Sequence, residues 1–139
     1  MKLLFIVPYM PNPIRVRPFN ILRALATRDH DITLATLVER AEEWADAAVL
    51  AEMGVRVLAR PLSRGQKARN LLRALPTGEP LQARYCWQPQ LAAVMEHELQ
   101  HGVYDAVHVE HLRGAAYGIR ARQLLDEAGD EGRIPVVWD

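Results

Sequence analysis

The chain has 139 residues, enough for one domain with a real core, and half of them are hydrophobic, which excludes a disordered chain. Its 17 basic and 17 acidic side chains cancel, so there is no general pull toward nucleic acid or anionic membrane, and no nucleic-acid partner is expected. A single cysteine, Cys86, excludes an internal disulfide and suits a reducing compartment.

Lys2-Leu3-Leu4-Phe5-Ile6-Val7 is an apolar run without alternation, the pattern of a strand buried on both faces. Pro8-Tyr9-Met10-Pro11-Asn12-Pro13 breaks it abruptly, unlike a secretory leader. A helix is predicted over 16–28, with Ile21, Leu22, Leu25 and Ala26 on one stripe and Pro18 in its first turn. Residues 32–38 are rich in β-branched side chains and predict a second strand, hence a βαβ unit with parallel pairing. The next helix, over 40–53, is predicted to turn Trp44, Ala47, Ala48 and Ala51 inward and to leave Glu42, Glu43, Asp46 and Glu52 wet. Gly54 stops it, and Val55-Arg56-Val57-Leu58 is a short third strand ended by Pro61.

Residues 64–75 predict a basic helix with Ala68, Leu71, Leu72 and Leu75 facing inward. Residues 76–80 are a turn, and 81–87 an irregular link. A helix from Pro89 carries Leu91, Val94, Met95 and Leu99 inward and Glu96, His97 and Glu98 outward, until Gly102. Residues 104–109 are the fourth strand. A helix over 112–127 holds Ala116, Ile119, Leu124 and Leu125 inward, a loop covers 129–132, and 134–138 form a last strand. Nothing follows that strand to cover it, so the 139 residues are expected to be a fragment of a longer protein.

Charge is uneven along the chain. Residues 54–75 hold Arg56, Arg60, Arg64, Lys67, Arg69 and Arg73 and no acid, whereas 126–131 are acidic. Both read as solvated surface, with a phosphate- or partner-facing patch as the alternative for the basic run.

In an open parallel sheet, ligands bind beyond the carboxyl ends of the strands. Arg15 and Arg17 stand ahead of the first helix, where free backbone donors and guanidinium groups suit an anion. That loop has no glycine, which excludes a dinucleotide fingerprint and a P-loop there. His108-Val109-Glu110-His111 closes the fourth strand, with His108 and Glu110 on one face. His111 or Glu110 could hydrogen-bond a sugar or phosphate. A zinc site would need His97 or His101, which belong at the other end of the sheet, so no metal is expected. Arg113 and Tyr117, four apart on the next helix, are expected to line the same cleft, with Asp139 on its rim. Cys86 reads as a buried thiol, and Trp44, Trp87 and Trp138 as packing residues.

Four stretches in order carry a resemblance: Leu3-Leu4-Phe5-Ile6-Val7-Pro8-Tyr9; Arg17-Pro18-Phe19-Asn20-Ile21-Leu22-Arg23-Ala24-Leu25; Thr77-Gly78-Glu79-Pro80-Leu81-Gln82-Ala83-Arg84-Tyr85; and Tyr104-Asp105-Ala106-Val107-His108-Val109-Glu110-His111-Leu112-Arg113. With Val136-Val137-Trp138-Asp139, the chain resembles the amino-terminal domain of a GT-B glycosyltransferase of the retaining group 4 type, as in bacterial polysaccharide and exopolysaccharide assembly. The resemblance implies a Rossmann-like three-layer α/β domain with a mostly parallel sheet, facing an absent carboxyl-terminal domain that holds most of the nucleotide-sugar donor. It implies a saccharide or lipid-linked acceptor, no further cofactor, and a cytoplasmic place, with peripheral contact at the inner face of the membrane left open. Carried over, His111 and Glu110 would act at the sugar as the catalytic pair. Tyr9, Asn12, Arg15, Arg17, Arg113, Tyr117 and Asp139 would bind substrate. Such a half alone would be inactive. The glycine-free loop departs from the family, which implies a different acceptor or a lost activity. A non-catalytic α/β binding module and a nucleotide-sugar epimerase of the same architecture are the alternatives; a response regulator or a flavodoxin would need acids or a hydroxyl- and glycine-rich loop where Pro8-Tyr9-Met10 stands.

Overall fold

The computed structural model describes residues 1–78, 80–129 and 133–139; the end of the acidic run therefore lies outside the described residues. Five strands, β1 (Lys2–Val7), β2 (Asp31–Val38), β3 (Val55–Pro61), β4 (Ala106–Val109) and β5 (Val136–Trp138), pair in parallel in the order β3-β2-β1-β4-β5. The helices are α1 (Val16–Ala26), α2 (Glu43–Glu52), α3 (Arg64–Ala74), α4 (Leu81–Tyr85), α5 (Pro89–His101) and α6 (Ala115–Glu127). The chain is thus an α/β domain consistent with a Rossmann-like three-layer architecture.

β1 explains the layering. Its residues alternate between two apolar cores, as every residue of a doubly covered strand must. Phe5 and Val7 pack with Phe19 and Leu22 of α1 and with Ala47 and Leu50 of α2. Leu4 and Ile6 pack on the other face with Leu91 and Met95 of α5 and with Tyr117 and Ala121 of α6. Cys86 is wholly buried in this second core, and burial pushes its thiol up to about 11. No helix among the described residues is long and apolar enough to cross a membrane.

The periodicity located the helices but misjudged the faces of several. In α2 the inward row is Glu43, Ala47 and Leu50, while Trp44 is half exposed. In α3 the buried residues are Asn70 and Ala74, and Leu72 and Leu75 face solvent, because the neighbour of α3 is the polar backbone at the end of α4. The segment expected to be an irregular link contains α4. In α6, Ile119 is exposed. Glu98 of α5, expected in solvent, is buried. It receives both Nη atoms of Arg56 at 2.8 and 2.7 Å and the hydroxyl of Tyr104 at 2.6 Å. Burial alone would raise the Glu98 carboxyl; the hydrogen bonds from Arg56 and Tyr104 outweigh it and hold the carboxyl below its ordinary value.

Candidate functional site

The chain leaves β1 toward β2 on one side and leaves β4 toward β5 on the other, although β1 and β4 are hydrogen-bonded neighbours. The loops beyond their carboxyl ends therefore diverge and open a crevice, the switch point of an open parallel sheet. A hollow of about 400 Å³ lies there, lined among others by Tyr9, Arg15, Arg17, Glu110, His111 and Arg113. The structure thus brings together six of the nine residues that the sequence nominates.

The loop after β1 is anchored from within. Asn12 is buried, and its Oδ1 accepts from the backbone N–H of Ile14 at 3.1 Å and of Arg15 at 2.9 Å. This is an Asx turn, which answers donors that proline-rich backbone leaves open. The Asn12 amide also donates to Asp46 at 3.0 Å, so the side chain serves the loop rather than the hollow. Arg15 donates to the carbonyl of Met10 at 3.1 Å and lies 3.4 Å from Glu43 Oε1. Its guanidinium also stands over the Tyr9 ring, 5.2 Å from the centroid. Burial, reinforced by the charge of Glu110, raises the Tyr9 hydroxyl above its ordinary value, and Arg15, Arg113 and Arg17 oppose this.

Glu43 is the residue that pattern reading missed. It is fully buried at the start of α2, and its Oε2 accepts from the backbone N–H of Glu39 at 2.7 Å and of Arg40 at 3.3 Å. Its Oε1 accepts no hydrogen bond and faces Arg15 and Arg40 at 3.4 and 3.6 Å. The signal was available: Glu43, Ala47 and Leu50 share one helical row.

The loop after β4 is held differently. Glu110 N donates to Ile6 O at 3.0 Å, and the backbones of Val109, His111 and Asp139 exchange hydrogen bonds at 3.1 and 2.7 Å, extending the β4–β5 pairing. His111 then takes φ 67 and ψ 154, a region that costs a non-glycine residue about 1–3 kcal/mol. Its side chain is exposed, with Nδ1 accepting from the backbone N–H of Arg113 at 3.4 Å. Gly114 completes the turn, its N–H donating to His111 O at 2.8 Å. A Cβ there would stand 2.8 Å from Val109 Cγ1, so any larger residue would force the turn or Val109 to shift.

The charged groups are paired unequally. Arg17 reaches Asp139 and lies 3.9 Å from Glu110 Oε1, while remaining 58% exposed. Arg113 is exposed and has no side-chain hydrogen bond or ion pair among the described residues. Glu110 is buried and also meets His108 Nε2 at 3.2 Å; the His108 ring stacks on Phe5 with centroids 4.6 Å apart. Ligand atoms of His108, Glu110 and Asp139 lie within 4.8 Å of one another, a donor set that could hold a cation, but Arg17 already supplies positive charge to two of the three.

Tyr117 is a correction. It was expected beside Arg113 in the cleft and is instead wholly buried. A 3-10 turn over Leu112–Gly114 precedes α6, so Arg113 and Tyr117 do not share a helical face. The Tyr117 hydroxyl donates to Cys86 O at 2.7 Å and accepts from Gln88 N at 2.8 Å, and burial pushes its pKa upward. The chain matches no family model, no curated protein and no solved structure.

Proposed function

We propose that the chain is the acceptor-side half of a GT-B type retaining glycosyltransferase that moves a sugar from a nucleotide-activated donor to a saccharide or lipid-linked acceptor. The observation that carries this reading is the hollow at the β1/β4 switch point, where Tyr9, Arg17, Glu110, His111 and Arg113 converge. A diphosphate entering it would meet Arg113 first, since that cation has no competing partner there. Arg17, largely exposed, would turn from Asp139 onto the leaving diphosphate and stabilise its charge. His111 and Glu110 would hydrogen-bond the sugar or acceptor hydroxyls, His111 from solvent and Glu110 from a buried, already oriented position. Asp139 and Tyr9 would form the rim. Donor specificity would belong to an opposing domain, and the enzyme would work in the cytoplasm without a cofactor of its own.

The test is an assay of the longest encoded form against a panel of nucleotide sugars, with product analysis. Sugar transfer that drops at least about 100-fold in Arg17→Ala, with the fold intact, supports the reading. Conversion of a lone nucleotide sugar into its epimer would replace it with the epimerase. Unchanged transfer in Arg17→Ala would remove Arg17 from the machinery. The internal pairing of Arg15 with Glu43 favours one second reading, a non-catalytic binding module, because it takes one cation out of competition for substrate. Ligand binding without turnover in the longest form would select it.

A further inference from the structure

The end of α5 carries a pair of imidazoles that the hollow does not use. His97 and His101 are four residues apart, so they share one face of the helix, and both are exposed. Their rings stack with centroids 4.3 Å apart and planes 30° from parallel. His101 Nδ1 lies 3.0 Å from His97 O. A carbonyl oxygen only accepts, so Nδ1 carries the proton and His101 Nε2 keeps its lone pair for another partner. A ligating histidine is oriented in this way, its second ring nitrogen donating to a carbonyl. The pair also stands at the carboxyl end of the helix, where the last carbonyls favour a cation. The carboxylates next to it in sequence are engaged elsewhere: Glu96 accepts from Arg120, and Glu98 from Arg56 and Tyr104.

We propose that His97 and His101 together bind a divalent transition-metal ion of the zinc, nickel or copper class through one nitrogen of each ring. Imidazole suits these ions, whereas magnesium and calcium ask for oxygen ligands that this pair does not offer. Both rings are exposed, so modest rotations would turn the two nitrogens onto one ion. Two protein ligands fill half of a tetrahedral shell, and water would complete it, which makes the site exchangeable. The ion would cross-link one turn of α5 around Glu98, whose bonds to Arg56 and Tyr104 tie the same turn to β3 and to the entry of β4. Occupancy would therefore stabilise the fold at the end of the sheet remote from the hollow. This proposal does not depend on the glycosyltransferase reading.

The test is calorimetric titration of the 139-residue chain, carrying no histidine tag, with zinc or nickel chloride at about pH 7.5, and with magnesium chloride as the control. Zinc and nickel should bind and magnesium should not. His97→Ala and His101→Ala should each weaken binding about ten-fold or more, because the second imidazole engages an ion already held by the first. Both positions are exposed, and circular dichroism checks that the fold persists. Zinc should raise the urea midpoint of the wild-type chain and leave those of the two variants unmoved. His30→Ala, beside the terminal amine, and Asp139→Asn, in the hollow, should leave the affinity within about two-fold. Absence of binding by both zinc and nickel overturns the proposal. So does binding that both alanine variants retain, or an equal loss in His30→Ala or Asp139→Asn, which would put the ion elsewhere.

Discussion

The two loops that frame the hollow reach their shapes by opposite means. The loop after β1 uses four prolines over 8–18 and a set of internal polar contacts: Asn12 to its own backbone and Asp46, Arg15 to Met10 O and Glu43. The loop after β4 has almost no internal polar side-chain contacts. It is held by strand pairing to Asp139, by a strained backbone at His111 and by the close seat of Gly114. The first loop therefore engages its own polar groups in structure, while the second leaves His111 and Arg113 exposed to whatever enters. Apart from Arg17 at the start of α1, the groups left open to a ligand lie on the β4 side, while the β1 side carries more of the stability.

Breaking the first loop should have the largest effect. Glu43→Ala removes the acceptor for two backbone donors and the partner of Arg15, and should lower unfolding free energy by about 2–3 kcal/mol in urea titrations. Gly114→Ala should cost about 1–3 kcal/mol by forcing its new methyl against Val109, read by the same titration. His111→Gly tests the stored strain. It should raise stability by about 0.5–1 kcal/mol while abolishing the proposed sugar contact, whereas His111→Ala should leave stability nearly unchanged. Arg113→Ala should be the quietest for stability, within about 0.5 kcal/mol, yet should weaken pyrophosphate binding by calorimetry about ten-fold. A destabilised Arg113→Ala, or a silent Glu43→Ala, would reverse the division of labour between the loops.

Much of this was legible in the sequence. The uninterrupted apolar run of β1 specified a doubly covered strand, and its abrupt end at Pro8 specified where the crevice opens. The i, i+2 spacing of His108 and Glu110 placed them on one face, where the structure has them in contact. What failed was the direction of helical faces. A hydrophobic row shows that one side of a helix is distinct, but the partner decides which side is covered. α3 packs on backbone carbonyls that ask for Asn70, so its leucines turn away. Glu43 and Glu98 were read as wet because acids usually are; each is buried because unanswered donors converge on it. Tyr117 was misplaced because the Leu112–Gly114 turn breaks the helical count between it and Arg113.

The clamp that Glu98 makes with Arg56 and Tyr104 ties the last turn of α5 to β3 and to the entry of β4, at the end of the sheet remote from the hollow. With its last turn held there, α5 resists sliding as a body to admit a guest. Adjustment falls to side chains at the open end, and the amide of Asp105, bonded to Lys2 O beside the clamp, should exchange more slowly than that of His111, bonded to Asp139 O at the open end.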